Sequence, residues 1–163
     1  MQAKDEARQR DAIETLIETH RGMPGGLMPL LHAVQDTLGH VPDAVVPRIA
    51  QALNLSRAEV HGVITFYHHF RREPAGRTVV QVCRAEACQS CGADELLAHA
   101  QGALACSSHH TSADGAFTLE PVFCLGLCAS SPAIKVAGRL HARVTPEKFD
   151  RIVATAQAAG ASA

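Results

Sequence analysis

A chain of 163 residues with 47% hydrophobic and 19% charged side chains can bury a core, and it has room for one ordinary domain or two small ones. Charge is balanced in both halves, eight Lys and Arg against nine Asp and Glu through Gly76 and seven against seven beyond it, which argues against nucleic acid or an anionic membrane surface as partner. Met1 to Asp11 lack the apolar core and cleavage site of a secretory signal, and no apolar run approaches the roughly 18 to 20 residues that span a bilayer; a cytoplasmic chain without membrane insertion is expected.

Taken in order, the first half carries helical punctuation and no strand alternation. Asp5 to His20 form a charged amphipathic stretch with Ala12, Ile13, Leu16 and Ile17 on one side, ended by Gly22-Met23-Pro24-Gly25-Gly26. Leu27, Leu30, Leu31, Val34 and Leu38 recur at helical intervals, and Gly39 supplies the stop. A third helix fits Pro42 to Leu53, since prolines are tolerated near a helix start. Ser56-Arg57-Ala58-Glu59 reads as a capping box opening a fourth, with Val60, Val63, Ile64 and Tyr67 on one face. Four short helices predict a compact helical unit over residues 1–73.

Arg71 to Gly76 is the expected linker, because Pro74 and Gly76 break the helical pattern and the periodicity changes beyond them. The pattern then predicts a strand over Arg77 to Val82, a helix over Gly92 to Ala105, a polar loop through Ser107, Ser108, His109 and His110, and a strand over Phe117 to Cys124. Ala133 to Val136 and Leu140 to Val144 form a hairpin turned at Ala137-Gly138-Arg139, and Pro146 to Ala159 closes as a helix with Phe149, Ile152 and Val153 inward. Residues 77–163 thus suit a small α/β layer, and the whole chain an α+β class.

Two cysteine couples stand where strand-like runs stop: Cys83-x4-Cys88 after Thr78 to Val82, and Cys124-Leu125-Gly126-Leu127-Cys128 after Val122 and Phe123. Two neighbouring strands would bring all four sulfurs to one rim of a sheet, where bare thiolates repel and call for a metal or oxidation. In a reducing compartment six cysteines favour ligation over disulfides. Zinc accepts four sulfurs, but usually from tight x2 knuckles, whereas x4 and x3 loops can wrap a larger object. A [2Fe-2S] unit needs two thiolates on each iron and amide N–H groups aimed at the sulfurs; Ala85, Glu86 and Ala87 offer such donors, and Gly126 lets the second loop close over its sulfur. Arg84 and the helix start beyond Cys88 would favour the more negative, reduced form.

Cys83, Cys88, Cys91 and Cys124 also satisfy a plant-type ferredoxin spacing and would leave Cys128 idle. The set Cys83, Cys88, Cys124 and Cys128 is preferred, because Cys91 falls at the opening of a helix where packing sets its direction. Thiol redox chemistry at Cys88-Gln89-Ser90-Cys91 would explain neither Cys124 nor Cys128. A structural zinc module stays open as a reading of a different class.

With these residues in view, the chain resembles the thioredoxin-like [2Fe-2S] subunit of NADH dehydrogenases, which includes the small peripheral subunit of complex I. The resemblance rests on Cys83-x4-Cys88, Cys124-Leu125-Gly126-Leu127-Cys128 with Pro132, and, in the helical half, Leu31 to Gln35, Gly39 to Pro42 and Gly62 to Tyr67. Within it, Cys83 to Gln89 looks most like the gamma subunit of NAD-dependent, molybdenum-containing formate dehydrogenases. The resemblance implies an N-terminal four-helix bundle and a thioredoxin-like [2Fe-2S] ferredoxin domain. It also implies a flavoprotein partner that binds FMN and NAD, with single electrons passing between flavin and cluster, and beyond it a molybdenum-containing catalytic subunit. Cys91 and Cys106 receive no role from it.

The absences agree with a non-catalytic subunit. No Gly-x-Gly-x-x-Gly or Gly-x4-Gly-Lys-Ser/Thr cradles a pyrophosphate, so NAD and flavin belong on another chain. Adjacent helical residues diverge by about 100 degrees, so His68 and His69 do not readily share an ion, and surface or packing roles are expected for them and for His109-His110. Phe66, Tyr67 and Phe70 could serve either the helical core or a docking surface.

Overall fold

The computed structural model describes residues 2–160, with side chains described for residues 8–158. The chain divides into two compact units at Pro74 and Ala75. The first unit holds helices α1 (Gln2–His20), α2 (Leu27–Leu38), α3 (Val46–Ala52) and α4 (Arg57–Phe66). Its core gathers Ile13 and Ile17 of α1, Leu30, Leu31 and Val34 of α2, Ile49 of α3 and Val60 and Ile64 of α4.

Local chemistry explains where these helices begin and end. Gly39, at φ 78°, adopts the left-handed conformation that closes α2, and its N–H reaches Gln35 O at 2.7 Å. The third helix starts later than Pro42, because Asp43–Val45 form a 3-10 turn before α3. Ser56 accepts from Glu59 N–H at 3.1 Å while Glu59 accepts from Ser56 N–H at 2.8 Å, so both halves of the capping box exist. Ser56→Ala should therefore lower the unfolding free energy of this unit by about 1 kcal/mol, read by urea denaturation followed by circular dichroism.

Tyr67 departs from expectation. The helix stops at Phe66, Tyr67 turns extended at φ −89° and ψ 103°, and its ring is 45% exposed. Of the aromatic trio, Phe70 is buried and Phe66 is 73% exposed. The turn is held from afar: buried Gln35 donates to His69 O at 2.8 Å and accepts from Arg71 N–H at 2.7 Å. His32 packs against the His69 ring at 5.1 Å and the Phe70 ring at 5.0 Å. His68 and His69 are exposed, as are His109 and His110.

The second unit holds β1 (Thr78–Cys83), α5 (Glu86–Gln89), α6 (Ala93–Leu104), β2 (His110–Thr111), β3 (Phe117–Val122), β4 (Ile134–Val136), β5 (Arg139–His141) and α7 (Pro146–Gly160). The five-stranded sheet runs β2-β3-β1-β4-β5. β1 and β3 are parallel in the centre with Cys83 opposite Val122, and the other pairings are antiparallel. The β4–β5 hairpin turns on Ala137 (φ 46°) and Gly138 (φ 81°), the two positive φ values of a type I′ turn. Leu96, Leu97, Ala100 and Leu104 of α6 and Phe149 and Val153 of α7 pack with Val80, Val82, Leu119, Ile134 and Val136 into one core, with Ile152 half-buried beside it.

Four local features differ from expectation, the first being that the hairpin's second strand covers Arg139–His141 and not Leu140 to Val144, with Arg139 already paired to Val136. His110–Thr111 pair with β3 as a two-residue edge strand where the sequence pattern predicts a loop. The first cysteine loop contains the single-turn helix α5. β3 ends at Val122, before Phe123 and Cys124, because Cys124 takes φ 76° and leaves the strand direction.

Candidate metal centre

The sheet topology brings the two cysteine couples together. Cys83 is the last residue of β1, and β3 ends at its partner Val122, so the following segments leave the same rim. Arg84 N–H donates to Val122 O at 2.7 Å and Cys83 N–H to Ala133 O at 3.0 Å, fastening both loops to that rim. Cys83 and Cys88 are buried; Cys124 and Cys128 are exposed. A small apolar cluster of Cys83, Cys88, Ala93 and Ala133, flanked by Ala85, Leu125 and Leu127, walls the inner side.

Burial and neighbouring donors shift three of the four thiols, each for its own reason. Burial pushes the Cys83 thiol up, but N–H donation from Ala85, the Cys88 thiol, and N–H donation from Leu125 and Cys124 together pull it below the usual range. Cys88 is held above its ordinary value, chiefly by burial and by the neighbouring Cys83, against stabilising contacts from Ser131 and the Ala133 amide. Cys128 is raised by its hydrogen bond and charge interaction with Cys124, by burial, and by the charges of Cys88 and Cys83. The Cys124 and Cys128 sulfurs lie 3.7 Å apart, and Gly126 N–H points at Cys124 Sγ from 3.4 Å. Gly126 reaches that position at φ 80°, where a side chain would be strained.

The two remaining thiols stand aside. Cys91 is exposed at the turn before α6, with Ser90 Oγ 4.0 Å from its sulfur. Cys106 is buried in the sheet core and donates to His110 O at 2.8 Å. Among the described residues no three His, Cys, Asp or Glu side chains close on one point as a single ion would require.

Some neighbours have no signature in the sequence pattern. Ala85 N–H serves Cys83, but donors also come from Leu125, Cys124 and Ala133, and a hydroxyl from Ser131. Arg84 does not present a free charge to the site. Its guanidinium is clasped by Asp94 in the first turn of α6, at 2.9 and 2.6 Å, so a carboxylate accompanies that positive charge. The signal for that pairing is an acidic residue at a helix start, ten residues after the arginine.

A mixed α/β layer with cysteine couples on two adjacent loops and backbone amides aimed at the sulfurs is the arrangement of a thioredoxin-like iron-sulfur protein. The donor chemistry fits a binuclear unit, which takes two thiolates on each iron. Residues 13–157 match the model of the thioredoxin-like [2Fe-2S] ferredoxin family, and the chain belongs to that family, whose cofactor is one [2Fe-2S] cluster.

Among its relatives is an NADH-quinone oxidoreductase subunit of Rhizobium meliloti (strain 1021), 34% identical over 150 residues that cover 92% of this chain and 89% of the relative. NADP-reducing hydrogenase subunit HndA of Solidesulfovibrio fructosivorans is 30% identical over 138 residues, 85% of this chain and 81% of the relative. The fold also matches a chain of an NAD+-reducing [NiFe]-hydrogenase in the air-oxidized state, with TM-score 0.67 and 24% identity over 82% of this chain. This chain spans about a quarter of that one, 23% of its length. No helix among the described residues is long and apolar enough to cross a membrane.

Proposed function

We propose that this chain is a cytoplasmic electron-transfer subunit that holds one [2Fe-2S] cluster on Cys83, Cys88, Cys124 and Cys128 and exchanges single electrons with the FMN of an NAD-binding flavoprotein partner. The observation that supports the ligand set is geometric: parallel β1 and β3 end side by side at Cys83 and Val122, so both cysteine couples follow from one rim, with the Cys124 and Cys128 sulfurs 3.7 Å apart and Ser131 bridging Cys88 to Cys128 O. The two units are read as two domains, a four-helix bundle over 1–73 and the cluster domain over 77–163.

Such a cluster, when bound, supplies a reversible one-electron couple and no bond-making chemistry. The residues of this chain supply the rest. Four thiolates ligate, and the amides of Ala85, Cys124, Leu125, Gly126 and Ala133 donate to sulfur and offset the accumulated negative charge. Burial of Cys83 and Cys88 keeps water from the inner couple, while exposed Cys124, Cys128 and the 74% exposed Phe123 form the face a redox partner would meet.

The parent complex is read as an NAD-dependent, molybdenum-containing formate dehydrogenase, on the resemblance of Cys83 to Gln89 to its gamma subunit. The second reading, the equivalent subunit of an NADH-quinone oxidoreductase or an NAD-reducing hydrogenase, is favoured by the names of the relatives. The purified chain should be brown and give an EPR signal from a reduced spin-half centre; a colourless, zinc-loaded chain would overturn the cluster assignment. Affinity purification from the native host separates the complexes. A molybdenum-containing partner supports the formate reading, membrane subunits the quinone oxidoreductase, and a nickel subunit the hydrogenase.

A further inference from the structure

Ser131 is the one residue beside the centre whose side-chain hydroxyl reaches a sulfur of the four cysteines among the described residues. Its Oγ lies 3.4 Å from Cys88 Sγ and 3.0 Å from Cys128 O, so it touches both couples across a separation of 43 residues from Cys88. A hydroxyl has one proton and these are two acceptors. Against a neutral thiol the carbonyl is the better acceptor. A ligating sulfur carries negative charge, and an O–H···S bond to it would be charge-assisted and compete with the bond to the carbonyl.

The position magnifies that choice. Cys88 is 2% exposed, so a dipole aimed at its sulfur is poorly screened by water. Cys83 collects backbone N–H groups from Ala85, Leu125 and Cys124, whereas Cys88 has the Ala133 amide as its backbone donor. The hydroxyl is thus a large fraction of the donors that Cys88 receives.

We propose that the Ser131 hydroxyl donates a hydrogen bond to the Cys88 sulfur and thereby raises the reduction potential of the centre, acting as a potential-setting residue and not as a ligand. This rests on the cluster assignment above. The physical ground is that one-electron reduction adds one negative charge to the cluster and its sulfurs, and a donor fixed on a sulfur stabilises the more negative state more than the less negative one.

The test is a redox titration of the full-length, cluster-loaded chain, following the EPR signal of the reduced centre. Ser131→Ala should shift the midpoint downward, so that at a fixed solution potential the ratio of reduced to oxidised centre falls about threefold, or about 28 mV at 59 mV per decade for one electron. Ser131→Thr keeps the hydroxyl and should titrate with the wild type. If the alanine variant takes up no cluster, Thr and Val at this position compare nearly identical shapes with and without the hydroxyl, and Val should titrate below Thr. A midpoint in Ser131→Ala equal to wild type, or Thr and Val titrating together, overturns the proposal while leaving the cluster assignment intact. A wild-type chain without iron would instead overturn the assignment itself.

Discussion

Cys128→Ala should strip the purified chain of its visible absorption and reduced-state EPR signal, with iron falling from about two per chain to well below one, while Cys91→Ser retains all three. The contrast follows from where the sulfurs lie. Cys128 sits 3.7 Å from the Cys124 sulfur, so on the proposed ligand set its loss would leave one iron with a single thiolate. Cys91 is exposed on the turn that starts α6; its N–H bonds Cys88 O at 3.1 Å, while its sulfur's side-chain contact is Ser90 Oγ at 4.0 Å. Alanine is used at Cys128 because a serine oxygen could still bind iron. The reverse result, a chromophore lost with Cys91 and kept without Cys128, would move the ligands to the x4, x2 plant-type set. Cys83→Ala, Cys88→Ala and Cys124→Ala should match Cys128→Ala, and Cys106→Ala should keep its iron, because that thiol donates to His110 O inside the sheet core.

What the sequence discloses here is what short-range chemistry dictates. The Ser56-to-Glu59 box and the left-handed Gly39 stop lie within a few residues of what they cap, and the structure has both. The two central strands are legible because a strand-like run halts near each cysteine couple, at Cys83 for β1 and at Val122, short of Cys124, for β3. Tyr67 misleads because Val60, Val63, Ile64 and Tyr67 keep helical spacing, yet the backbone leaves the helix at Phe66, held by Gln35 bonds to residues 34 and 36 positions away. No local period carries that information. β2 escapes notice because two exposed residues, His110 and Thr111, cannot display an alternation.

The candidate centre divides in the same way. Its sulfurs are readable as couples with defined spacing, but the groups that tune them come from convergence. Ser131 meets Cys88 only because β1 and β4 are adjacent in the sheet, which sets Cys83 N–H on Ala133 O and draws the residues just before Ala133 toward the first loop. Arg84 illustrates the converse: its charge is plain in the sequence, while the Asp94 carboxylate that answers it depends on the angle at which α6 leaves the short helix α5.

Phe149→Ala should be the most destabilising single change in the second unit that touches no cysteine, lowering its unfolding free energy by about 3 to 5 kcal/mol. Phe149 is fully buried in the core shared by α6, α7 and the sheet, and its ring meets the His99 ring edge-on at 5.8 Å. His99 in turn bonds Asp150 at 2.7 Å, so aromatic contact and polar pair fasten α7 to α6 at the same level. Truncation leaves a ring-sized void that the surrounding Val and Leu side chains cannot fill without moving β1, which ends at Cys83, or β4, which follows directly on Ala133. The cluster should therefore still assemble at low temperature with an ordinary EPR spectrum, but bleach at a lower temperature than in wild type. Phe149→Leu, which refills most of the volume, should recover much of the loss. Urea unfolding of the three proteins measures it, and a cost below about 1 kcal/mol for the alanine variant would mean that α7 is not what braces the cysteine-bearing strands.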